Sequence, residues 1–113
     1  MASSRIFELR TYHAAPGKFA ALERRFRDHT VRIFARMGME LVWLFLPTGE
    51  RAEGGPLVYV LAFESHEDAA ARWEAFRADP EWVAAKAASE ADGPLLMGLE
   101  SAFFEAATYS PLQ

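Results

Sequence analysis

Along residues 5–13, "RIFELRTYH", side chains alternate in polarity and predict a β-strand with two unlike faces. Phe7, Leu9 and Thr11 fall on one side, and Ile6, Glu8, Arg10 and Tyr12 on the other. The spacing then changes to about 3.6. Phe19, Leu22, Phe26, Ile33 and Met37 mark one face of a long helix that Pro16 can open and Gly38 can close as a left-handed cap. "MELVWLFLP" and "PLVYVLAFE" follow as strands that are apolar on both faces, joined by the glycine-rich loop "TGERAEGG". "SHEDAAARWEAFRAD" carries a capping-box pattern in Ser65 and Asp68, with Trp73 and Phe76 as its stripe. Asp79 and Pro80 begin another short helix, which fades by Asp92-Gly93-Pro94, and "LMGLESAFFEAAT" is the last strand. The order is β-α-β-β-α-β. It predicts an α+β fold of the ferredoxin-like, split βαβ kind: a four-stranded antiparallel sheet with the helices on one face.

That pattern leaves a second face of the sheet to account for. An antiparallel sheet with one face in water alternates apolar with polar residues, and the two central runs do not. Val42, Leu44 and Leu46 oppose Leu41, Trp43 and Phe45, while Leu57, Tyr59, Leu61 and Phe63 oppose Val58, Val60 and Ala62. Contiguous apolar surface of this kind marks an association site, and a second copy about a two-fold axis is the simplest cover. A homodimer is expected. If the helices cover Phe7, Leu9 and Thr11, the Glu8–Arg10 pair faces the space between two sheets, where it either fixes register or holds a polar group of a ligand.

Composition narrows the classes. At 113 residues the chain is expected to be one domain, residues 1–113, since two cores would each be too small. With no cysteine, thiolate catalysis, disulfides and cysteine-ligated metal centres are excluded. A net charge of −4 argues against nucleic acid. No apolar run reaches the length of a membrane span, and "MASSR" resembles neither a secretion signal nor a transit peptide, so a cytoplasmic protein is expected.

"FELRTYHAAPGKF", "FRDHTVRIFARMGM", "FRADPEWVAAKAASEADGPL" and "TYSPL" together resemble the NIPSNAP family, within the dimeric α+β-barrel superfamily, over nearly the whole chain. The resemblance implies the ferredoxin-like fold, a sheet-to-sheet dimer and a dimeric α+β barrel. Wider relatives of that superfamily include cofactor-free monooxygenases, haem-binding or haem-degrading enzymes, isomerases and lyases. Haem enters as a cofactor through that analogy alone; the residues themselves call for none. Relatives often carry a histidine before the glycine that follows the first helix. Here that position is Met37, so no role resting on that imidazole carries over.

Candidate chemistry is sparse. His29 stands between Phe26 and Ile33 on the helix stripe and is the candidate base if the protein is an enzyme; otherwise it is a histidine at the edge of the core. Trp43, Tyr59 and Phe103 are candidates to line an apolar pocket, with Tyr12 and Tyr59 offering hydroxyls. Trp73, Phe76 and Trp82 are assigned to packing. Three scattered histidines with no HxH or HExxH spacing predict no dedicated metal site. The leading reading is a small, largely apolar ligand held in a cavity of each protomer by Glu8, Arg10, Tyr12, His29, Trp43 and Tyr59. The alternatives are a cofactor-free monooxygenase or isomerase in that cavity, and a protein-interaction module using the charged side of the first helix (Arg24, Arg25, Arg27, Asp28, Arg32, Arg36).

Overall fold

The computed structural model describes residues 5–113. Strand β1 (Ile6–Ala14) leads through a turn at Pro16-Gly17 into helix α1 (Phe19–Arg25), a π-helical turn (Phe26–Thr30) and helix α2 (Val31–Arg36), which form one rod. Strands β2 (Glu40–Phe45) and β3 (Leu57–Phe63) come next, then helices α3 (His66–Ala78) and α4 (Pro80–Ser89), and strand β4 (Leu96–Glu105). The strands form an antiparallel sheet in the order β2-β3-β1-β4.

Several boundaries follow directly from local chemistry. The rod ends at Gly38, whose φ of 72° is open to glycine at little cost. The Met39 amide bonds back to Phe34 O at 2.8 Å and the Gly38 amide to Ala35 O at 3.2 Å, the paired bonds of a Schellman cap. Arg72 lies over this turn and donates to Met37 O at 2.8 Å. Ser65 Oγ accepts from the Asp68 amide at 3.0 Å, and Asp79 Oδ2 accepts from the Trp82 amide at 3.1 Å, so α3 and α4 are both capped at their N-termini.

Two expectations about architecture are corrected. The sheet is open among the described residues, with β2 and β4 as edges that do not pair, so this chain does not form the expected barrel. Four strands cannot close around an interior, because a barrel just wide enough for side chains needs about eight.

The helices also take the opposite face of β1 from the one considered above. Ile6, Glu8 and Tyr12 lie toward the helices with Tyr59, Leu61 and Phe63, while Phe7 and Leu9 join Val60 and Ala62 on the other face. The reason is volume: the large inward residues of β3 (Leu57, Tyr59, Leu61, Phe63) fill the space under the helices, and in register Glu8 stands opposite Leu61 and Arg10 opposite Tyr59. The open face is less bare than expected, because Trp43, Val42 and Ala106 pack over Phe7, Val60 and Ala62. A bulge between Leu41 and Trp43 breaks the simple alternation of β2, turning Leu41 and Leu44 to the main core and both Val42 and Trp43 to the open face.

Candidate functional site

Under the helices the β1 side chains meet a continuous group of rings. Tyr12, Phe26, Tyr59, Phe34, Trp73, Phe76 and Trp82 follow one another with centroids 4.8–5.8 Å apart. Between them, α4 and β4 lies a cavity of about 560 Å³ whose wall includes Arg10, Tyr12, Arg25, Phe34, Phe76 and Trp82. Arg77, Val83, Lys86, Ala87 and Leu99 are the exposed members of its lining and mark the mouth.

The polar floor is built on β1. Glu8 is 2% exposed and accepts three hydrogen bonds: from Arg10 Nη1 at 2.8 Å, Trp73 Nε1 at 2.6 Å and Ser101 Oγ at 2.5 Å. Arg10 reaches further. Its Nε donates to Tyr59 Oη at 2.8 Å and its Nη2 to Tyr12 Oη at 3.1 Å, and the guanidinium lies 4.2 Å from the Trp73 ring centroid. Burial works against the Arg10 charge, but Tyr59, Tyr12 and the Glu8 hydrogen bond outweigh it, and the guanidinium pKa is raised above its ordinary value. Burial in turn pushes the Tyr59 phenol well above its ordinary pKa of 10.0, with Tyr12 adding to the rise and Arg10 opposing it. Tyr59 is therefore a neutral phenol at any ordinary pH.

Arg25 forms the wall opposite. It is buried at 4% exposure, donates from Nη1 to Glu90 Oε2 at 3.0 Å and to Ser89 Oγ at 3.2 Å, and lies over the Trp82 ring. Its Nε is the one buried side-chain nitrogen or oxygen among the described residues with no hydrogen-bond partner.

Of the residues singled out from sequence, the structure brings Glu8, Arg10, Tyr12 and Tyr59 together and separates His29, Trp43 and Phe103 from them. His29 lines a different groove, between the rod and α4, with Lys18, Asp28, Ser89 and Asp92. The cause is the π-helical turn: its wider i→i+5 spacing puts Thr30 on the buried line after Phe26 and swings His29 off it. Trp43 lies on the open face, stacked on Phe45 at 4.4 Å. Phe103 is on the helix side but at the exposed edge strand, against His66.

Sequence reasoning assigned Trp73 to packing and Arg25 to an outer interaction surface, and did not single out Ser101. Trp73 looks like a packing residue until its indole N–H is seen to end on Glu8. The signal available for Arg25 was its place three residues after Leu22 on the buried stripe of α1; Ser101 carried none, since its meeting with Glu8 depends on the register of β4. Among the described residues no three His, Cys, Asp or Glu side chains converge to hold a metal.

Against known proteins, the model of the NIPSNAP family matches residues 7–111. None of the curated proteins matches the chain. Among solved structures, a NIPSNAP family protein of unknown function from Agrobacterium tumefaciens is 29% identical, with a TM-score of 0.78 over 96% of this chain and 94% of that one. An uncharacterised NIPSNAP-like domain protein from Burkholderia xenovorans is 22% identical, with a TM-score of 0.80 over 96% and 90%. SnoaB, a cofactor-independent oxygenase from Streptomyces nogalater, shares the fold at 19% identity, with a TM-score of 0.59 over 95% and 97%.

Proposed function

The chain belongs to the NIPSNAP family, and we propose that it acts by binding a small, largely apolar molecule in the cavity between helices and sheet. The observation that carries this is the 560 Å³ space itself, walled by aromatic rings and floored by Arg10 and Tyr12. Ligand sites are concave and mostly apolar, with a few converging polar groups and volumes of roughly 300–1,000 Å³.

The binding residues in this proposal are Arg10 and Tyr12 at the floor, held by Glu8 and Tyr59, with Arg25 opposite. Oxygenase chemistry in the same cavity is the weaker reading. The likeness to SnoaB is one of fold, and His29 lies outside the cavity wall. The interaction-module reading loses its main support too, since Arg32 pairs with Glu81, Arg36 with Asp79 at 2.6 Å and Arg27 with Glu23 at 3.2 Å. Those arginines hold the molecule's own helices.

For assembly we propose a homodimer through the open face, whose exposed Phe45 and Phe104 border a strip centred on Leu9, Val60 and Ala62. The centre of that strip carries no charge, so a second copy of the same face meets it with matching chemistry.

The test of the cavity uses its mouth. Replacing exposed Ala87 and Val83 with tryptophan fills the entrance without touching the core. A panel of small aromatic and aliphatic compounds is expected to raise the melting temperature of the wild type and not of Ala87→Trp/Val83→Trp. A ligand at 100 times its Kd adds about 2.7 kcal/mol of stability, which is readily read. Equal responses from both proteins would place binding elsewhere.

A further inference from the structure

Counting the protons of the two phenols at the cavity floor specifies what the ligand must offer. Tyr12 Oη and Tyr59 Oη are 2.7 Å apart, and only one hydrogen can lie between them. Tyr59 is fully buried, does not line the cavity, and already accepts from Arg10 Nε; the acceptor within its reach is Tyr12 Oη. A buried hydroxyl hydrogen left without an acceptor is costly, so the Tyr59 hydrogen lies between the two oxygens. Tyr12 Oη then accepts from Tyr59 and from Arg10, and its own hydrogen has no acceptor among the described residues. Tyr12 is 8% exposed and lines the cavity, which is where that hydrogen is directed.

The charge on the wall points the same way. Arg10, Arg25, Arg77 and Lys86 line the cavity against a single carboxylate, Glu90. Glu8 balances Arg10 and Glu90 balances Arg25, which leaves Arg77 and Lys86 at the rim as uncompensated positive charge.

Resting on the cavity-binding reading above, we infer that the ligand is an organic anion: a flat apolar body bearing an acidic oxygen, carboxylate or enolate, that accepts the Tyr12 O–H. The rings of Phe26, Phe34, Phe76 and Trp82 take the body, and Arg77 and Lys86 draw the anion through the mouth.

Calorimetric titration with three probes of one shape tests this: 2-naphthoate, naphthalene-2-carboxamide and the cation 2-naphthylmethylammonium. Naphthoate is expected to bind at least tenfold more tightly than the carboxamide, and the cation not at all. Tyr12→Phe is expected to weaken naphthoate roughly tenfold. The exposed rim variant Arg77→Gln/Lys86→Gln, which leaves the fold untouched, is expected to weaken it several-fold and to remove most of its salt dependence, so the test does not depend on Tyr12→Phe folding. Equal affinity for naphthoate and the cation, or naphthoate binding unchanged in Tyr12→Phe and in the rim variant, overturns the anion inference and leaves the cavity reading standing. Failure of all three probes to bind overturns both.

Discussion

Removing the charge of Glu8 should unbalance the floor of the cavity more than any surface ion pair in the molecule. Glu8 and Arg10 have side chains 3% and 10% exposed and meet at 2.8 Å. Breaking a buried pair by deleting one member costs about 3–5 kcal/mol, chiefly because the survivor stays buried and uncompensated. Glu8→Gln keeps one acceptor oxygen for either Trp73 or Ser101, so the lower half of that range is expected, about 3 kcal/mol. At about 4 °C per kcal/mol for a domain of this size, the melting temperature falls by roughly 12 °C. Arg10→Met leaves the Glu8 carboxylate with its Trp73 and Ser101 donors but no cation, and should cost a similar amount.

The double variant Glu8→Gln/Arg10→Met is the informative one. With neither charge present, its cost should fall short of the sum of the single costs by about 2 kcal/mol or more. Urea unfolding followed by circular dichroism measures all four proteins, provided m stays constant across the set. A coupling energy within about 0.5 kcal/mol of zero would refute the argument that the pair is held as a unit.

Three further outcomes follow from other parts of the structure. The raised pKa of Tyr59 makes the folded state hold that proton more tightly than the unfolded chain does, so its stabilising effect is complete below pH 10 and is lost as pH rises beyond it; the pH dependence of unfolding should lose part of its alkaline slope in Tyr59→Phe. Gly38→Ala places a side chain at positive φ and against Arg72, and is expected to lower stability by about 1–2 kcal/mol in urea unfolding; a change under 0.3 kcal/mol would contradict the capping account. Phe45→Asp and Phe104→Asp alter side chains 59% and 54% exposed, so the fold should survive while sedimentation velocity shows monomers in place of the proposed dimer; a dimer that persists in both would remove the open face as its interface.

What was legible in the sequence was legible for local reasons. The order of strands and helices is carried by the period of apolar positions, and the helix ends by Ser65, Asp79-Pro80 and Gly38, each of which acts within four residues of itself. The pairing of Glu8 with Arg10 was readable because residues two apart on a strand share a face. Choosing which face was not readable. Both sides of β2 and β3 are apolar, and the decision rests on how ring volumes on β3 fit beneath two separate helical segments. His29 fell off the buried line because one π-helical turn changes the helix phase, and nothing in "FRDHT" announces that change. The bulge at Val42 redirected Trp43 in the same manner. The sheet of this chain is open, with β2 and β4 at its unpaired edges, and that corrects the barrel which the resemblance implied. Trp73 and Arg25 on the cavity wall, and Ser101 behind it on Glu8, are placed by contacts between residues 64 to 93 positions apart, the separation at which sequence pattern says least.

The central claim is that the space beneath the helices is a binding site, and native mass spectrometry of the protein purified from its own host tests it most directly. The account predicts a reproducible extra mass, small and released on unfolding, that is present on the wild type and missing from Ala87→Trp/Val83→Trp. A wild type that carries no added mass, and whose melting temperature no small aromatic or apolar acid raises, would contradict it.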